Sequence, residues 1–157
     1  MTLHWSHRVV ALVLVGALEA AGAPRPGSRS TALEQAAFEL VNHHRRERGL
    51  PALALDPRIT RQARLHSAEM AAGRTPLGHE GFEDRTKALR RVIPWRATGE
   101  NVAFNRGHRD PAAEAVRGWL ASRKHRENIE GPYQLTGVGV ATNAAGEVYF
   151  TQIFIGR

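Results

Sequence analysis

The chain has 157 residues, of which 42% are hydrophobic, 24% charged and 6% aromatic, and it has no cysteine. The ordinary hydrophobic fraction, with glycines and prolines in no repeating period, excludes collagen-like and wholly disordered chains, and a chain of this length can fold without a disulfide or metal staple. The formal net charge of +7 is carried almost wholly by arginine, Lys87 and Lys124 being the only lysines; it favours anionic partners such as nucleic acid, phospholipid headgroups or acidic wall polymers, and says nothing about fold.

Residues 1–23 have the pattern of a secretory signal. His4, His7 and Arg8 form a weakly basic start, Val9 to Leu18 is unbroken apolar sequence, and Ala20, Ala21, Gly22 and Ala23 supply small residues for cleavage. The apolar run is shorter than the roughly 20 residues a bilayer span needs. Export of a chain without cysteine points to a bacterial extracytoplasmic domain, and export sets an intracellular nucleic-acid partner aside. Residues 24–30, rich in Pro, Gly and Ser, are expected to be a linker, which leaves residues 31–157 as one domain.

A first helix is expected from Thr31, which forms a capping box with Glu34. Its apolar face runs through Leu33, Ala37, Leu40, Val41 and His44, and Gly49 and Pro51 end it. Asp56-Pro57 opens a second helix as N-cap and first-turn proline, with the stripe Ile59, Ala63, His66 and Met70 ending near Gly73. Asp110-Pro111 repeats the signal for a third, carrying Ala112, Val116, Trp119 and Leu120. The C-terminus changes period. Val138, Val140 and Thr142 alternate with Gly137, Gly139 and Ala141. A turn at Asn143 to Gly146 then leads into a β-branched and aromatic strand from Glu147 to Ile155. Asn101 to Phe104 is a candidate further strand. Helices first and an antiparallel hairpin last argue an α+β fold.

Among the eight histidines, His44 and His66 lie on helical stripes and read as structural, and His108 as solvated. His79 in the loop Gly78-His79-Glu80, and His125 just past the third helix, lie off any amphipathic face. Glu100 stands between them in the sequence. Two imidazoles and a carboxylate make the ligand set of an open zinc site, although sequence separation alone does not bring them together. No HExxH helix, GxSxG elbow, phosphate loop or GxGxxG is present. Ser122 and His125 are close enough for one helical turn but lack a third group.

The order of segments resembles the bacterial branch of the CAP superfamily, which groups cysteine-rich secretory, antigen 5 and pathogenesis-related proteins. The matching pieces are Phe38 to Asn42, Leu50 to Leu53, Ala63 to Met70, Gly78-His79, Gly99 to Ala103, Trp119 to Ser122, His125 to Ile129, Thr136 to Ala141 and Tyr149 to Phe154. The match is weakest from Phe82 to Arg96, where Trp95 is expected to be a packed loop aromatic or, alternatively, a surface ligand contact. The resemblance implies a three-layer α-β-α sandwich around a small antiparallel sheet. It also implies secretion and a cleft of two histidines and two acids able to take zinc or another divalent metal. His79, His125 and Glu100 map to three of those positions. The second acid is replaced by Ser122, which removes an anionic oxygen. Asn101 and Asn128 are expected to satisfy backbone groups at the cleft edge.

The leading functional expectation is a non-enzymatic secreted domain that binds an anionic or amphipathic envelope ligand. Anionic lipid, lipopolysaccharide and cell-wall polymer all fit that description. The alternative is a metal-assisted hydrolase of peptide or wall polymer using His79, Glu100 and His125. Nucleic acid is a distant third, since no aromatic platform interleaves the basic residues.

Overall fold

A computed structural model describes residues 26–157; the expected signal segment, residues 1–23, lies outside them. In chain order the elements are α1 (Pro26–Glu47), β1 (Ala54–Leu55), α2 (Pro57–Ala71), α3 (Phe82–Arg90) and β2 (Ala97–Arg106). They continue with α4 (Pro111–Ala121), α5 (Arg123–Glu130), β3 (Leu135–Thr142) and β4 (Glu147–Gly156). The sheet order is β1-β3-β4-β2. The β3–β4 and β4–β2 pairs are antiparallel, while the two-residue β1 pairs parallel to β3. The sheet is therefore mixed at one edge rather than antiparallel throughout.

The Asp-Pro signals act as expected. Asp56 accepts the Arg58 backbone N–H at 2.8 Å and Asp110 that of Ala113 at 3.0 Å, each beside a first-turn proline. The capping box does not form. α1 begins at Pro26, so residues 26–30 are helical rather than linker, and Thr31 lies inside the helix with its hydroxyl donating to the Gly27 carbonyl. Glu34 instead turns inward, accepting from Arg64 Nε at 2.8 Å and from the Val140 N–H at 3.2 Å. The reason is topological: β1 covers β3 only at Leu135 and Thr136, and Glu34 takes an amide further along that strand.

The two faces of the sheet are filled differently. On one, Val138, Val140, Phe150 and Phe154 meet Ala37 and Val41 of α1 and Trp119 of α4. On the other, α2 lies almost on the backbone of β3. A Cβ on Gly137 would collide with the Thr60 nitrogen, and one on Gly139 with the Arg64 nitrogen and the Ala63 carbonyl. Those alternating glycines are what lets helix and strand approach so closely. Ser67 closes this face, its hydroxyl within hydrogen-bond distance of the Gly139 carbonyl at 2.9 Å and the Thr151 hydroxyl at 2.8 Å.

Two helices were not anticipated. α3 follows Gly81, which sits at φ 74° and gives no side-chain cap, so only the acidic first turn, Glu83 and Asp84, marks its start. α5 follows α4 across a single extended residue, Ser122 (φ −89°, ψ 123°). Trp95 is a packed aromatic. Its Nε1 donates to the Thr86 carbonyl at 3.2 Å and its ring adjoins the cluster of Ile59, Leu89, Ile93, Ile153 and Ile155.

Candidate functional site

Strand β2 forms the sheet edge opposite β1, and a cavity of about 740 Å³ opens beside it. His79, Glu100, Ser122 and His125, far apart in the sequence, all line this cavity, with Lys124, Glu127, Asn128 and Tyr133. Each is delivered by a different local device.

Glu100 comes from β2 and points toward the α2–α3 layer. Its carboxylate is only 1% exposed and is fully engaged. Arg85 of α3 donates through Nε at 3.0 Å and through Nη2 at 2.9 Å, and His79 Nδ1 lies 3.0 Å from Oε1. A guanidinium fork on a carboxylate is a strong, geometrically selective pairing. Arg85 also donates to the Glu80 carbonyl at 2.7 Å, so one side chain fixes both the acid and the loop carrying His79. From beneath, buried His66 of α2 donates Nε2–H to the Gly78 carbonyl at 2.8 Å. Burial pulls the His66 pKa below its ordinary value, which favours the neutral ring.

His125 rises from the first turn of α5. Its ring centroid is 6.5 Å from that of His79, with the planes at 43°. Burial, and then the neighbouring His79, lower its pKa. The α5 backbone is tied to β2 by two amides, as the sequence suggests. Asn101 Nδ2 donates to the His125 carbonyl at 3.0 Å, and Asn128 Nδ2 to the Glu100 carbonyl at 3.1 Å and to Asn101 Oδ1 at 2.9 Å. Gly99 leaves room for this tie, since a Cβ there would come within 2.8 Å of both Asn128 Oδ1 and the Tyr133 hydroxyl.

The far wall, Gly131 to Tyr133, is anchored by Arg45 from α1. This arginine is 2% exposed and donates to the carbonyls of Pro51 (2.8 Å), Ile129 (2.6 Å) and Gly131 (3.0 Å). Burial lowers its pKa. Carbonyl oxygens at the end of α5, which carries partial negative charge, stabilise the guanidinium. Arg45, Arg85 and Tyr133 are the site residues that sequence reasoning missed. The sole advance sign was the arginine-rich end of the first helix.

The donor set does not fit a divalent ion. A ligating carboxylate must turn an oxygen to the metal and be oriented by neighbours that leave it free. Glu100 instead commits its oxygens to Arg85 and His79. Ser122 supplies a hydroxyl where the resemblance implies a second acid. Glu127 lines the cavity but pairs with exposed Arg123 at 2.8 Å. Among the described residues, no group of three or more His, Asp or Glu side chains is arranged to hold a metal ion.

A layered α-β-α domain with an edge cleft built on paired histidines and β2 defines the class. The sequence signature of the cysteine-rich secretory protein (CAP) family matches residues 38–154, and the chain belongs to that family. It is 33% identical over 135 residues to the uncharacterized protein YkwD of Bacillus subtilis, covering 83% of this chain and 49% of that protein. Among solved structures it is similar to an extracellular SCP-domain protein of Bacillus anthracis (28% identity, TM-score 0.70), over 87% of this chain and 45% of that one. The fold is shared with an outer surface protein of Borrelia burgdorferi (17% identity, TM-score 0.68), over 80% and 93% of the two chains. The chain thus spans about half the length of the two Bacillus relatives.

Proposed function

We propose that the protein is an exported CAP domain that acts by binding, its cleft taking an anionic or amphipathic component of the cell envelope. The observation that carries this reading is the state of Glu100. A buried carboxylate held by an arginine fork and a histidine is a structural pillar of the cleft, and it offers neither a free metal ligand nor a general base within reach of water. The groups that line the cleft and can meet a ligand are Lys124, the His79 and His125 imidazoles and the Tyr133 hydroxyl, with Glu127 beside them held by Arg123. Further support comes from the extracellular relative of Bacillus anthracis and from the signal-like N-terminus, both of which suit a domain that meets envelope components. The metal-assisted hydrolase finds no support in this geometry.

The test is co-sedimentation of the full chain with phosphatidylglycerol vesicles, phosphatidylcholine vesicles and an insoluble anionic wall preparation. The expected result is association with at least one anionic target, lost at high salt and weakened several-fold by Lys124→Gln. Equal or absent association with all three overturns the reading.

A further inference from the structure

The other concentration of unpartnered charge lies at the start of β2. A hollow of about 400 Å³ is lined by Pro94, Trp95, Arg96 and Arg157. Antiparallel register pairs Ala97 with Gly156, so the next step sets Arg96 opposite Arg157. The two backbones are pinned: the Arg96 N–H donates to the Gly156 carbonyl at 2.8 Å, and the Arg157 N–H to Gln134 Oε1 at 2.8 Å. Like charges facing each other across a strand pair are destabilising.

Among the described residues no acidic side chain pairs with Arg96 or Arg157; the nearest acids along the chain are used elsewhere, Glu83 and Asp84 by Lys87 and Glu100 by Arg85. A third guanidinium, that of Arg90, sits 4.5 Å from the Trp95 ring centroid, a cation–π contact that holds it beside the hollow. Trp95 itself is fixed by its bond to Thr86, so the aromatic wall of the hollow is in place before any ligand arrives.

This hollow adjoins the cleft. Gly156, between the two strands' ends, backs onto the cleft wall: a Cβ there would lie 3.0 Å from the Pro132 carbonyl oxygen and 3.5 Å from the Tyr133 ring. Pro132 and Tyr133 in turn line the 740 Å³ cavity.

We infer that the arginine hollow is a second anion-binding subsite, and that hollow and cleft together take one linear polymer bearing phosphate or carboxylate groups at intervals. The inference rests on the binding role proposed for the cleft and narrows its ligand class. A polymer suits two concave sites, one lined by arginines and one offering Lys124, each able to take one charge of the same chain. A bilayer surface suits them less, because Trp95 is half-buried with its indole N–H bonded internally and does not project as an interfacial anchor.

The experiment measures binding of the full chain to poly(glycerol phosphate), to polygalacturonate, to the monomers glycerol 3-phosphate and galacturonate, and to phosphatidylglycerol vesicles. The proteins compared are wild type, Arg96→Gln/Arg157→Gln and Lys124→Gln/His125→Gln, with thermal unfolding to establish that each is folded. The expected result is that one polymer, phosphate- or carboxylate-bearing, binds more tightly than its monomer. The arginine variant should lose about tenfold or more of that affinity, as removal of one of two linked sites predicts, while monomer binding changes less. Three outcomes overturn the inference: polymer affinity unchanged in the arginine variant, polymer binding no tighter than monomer, or arginine-dependent binding to vesicles in preference to both polymers. The two readings fail separately. Loss in the arginine variant alone removes the cleft from the ligand path, whereas loss in the Lys124/His125 variant alone leaves the cleft reading standing and removes the hollow.

Discussion

The two faces of the sheet solve the same packing problem in opposite ways. Toward α1 and α4, space is filled by bulk, with Trp119, Phe150 and Phe154 all at most 1% exposed. Toward α2, contact is made by omission, with Gly137 and Gly139 bringing helix backbone onto strand backbone. A filled face tolerates partial collapse around a lost side chain, whereas a face built on backbone contact has no slack to give. The cleft forms where the two layers meet the uncovered edge of β2. The α2 layer contributes His79 and Arg85 through the following loop and helix, and the α4 layer contributes Ser122 and His125.

Trp119→Ala should break the filled face most severely. It removes a fully buried indole and its bond to the Val102 carbonyl, with an expected loss of about 4 kcal/mol read from chemical denaturation. Gly139→Ala tests the other face. The added carbon meets backbone atoms rather than a movable side chain, so a loss of about 3 kcal/mol is expected. A drop of less than about 1 kcal/mol, the low end for overpacking, would show that α2 slides freely on the sheet.

Arg85→Gln probes the junction. Glu100 loses its fork and keeps only His79 and the new amide, for which about 2 kcal/mol of destabilisation is expected, less than for a wholly unpaired buried charge. The same variant sharpens the metal question. Wild type should give no single-site zinc binding by calorimetry, whereas Arg85→Gln frees a carboxylate oxygen beside two imidazoles and should gain zinc affinity that His125→Ala abolishes. Single-site zinc binding by wild type would contradict the role of Arg85 as the group that occupies Glu100.

The smallest effect is a pH dependence. Burial lowers the pKa of His66 and His125 in the folded chain below the ordinary value of 6.5. Above that value both rings are neutral, folded or unfolded, and nothing is lost. As the pH falls below it, the unfolded chain binds protons first, so stability declines until each folded-state pKa is reached. His66→Gln keeps a donor for the Gly78 carbonyl and removes the titration. Its unfolding midpoint should fall less steeply between neutral and acid pH than that of wild type.

How much of this was legible in the sequence follows the range of the interactions. The Asp56-Pro57 and Asp110-Pro111 starts, the stripe Ile59, Ala63, His66 and Met70, and the strand alternation around Val138 and Val140 each depend on residues within a turn or a pleat of one another. Local sequence is enough to set those, and the family resemblance adds the meeting of His79, Glu100 and His125 in one cleft. What the acids do was settled by packing. Thr31 and Glu34 have the spacing of a capping box, yet Glu34 is drawn to Arg64 and an open β3 amide 106 positions away. Glu100 has the identity of a metal ligand, yet Arg85, from a helix with no side-chain N-cap, takes both its oxygens. A capping or propensity signal is set by neighbours along the chain. The partner of a buried charge is set by whichever counter-charge the packed layers bring within 3 Å, and only the assembled fold fixes that.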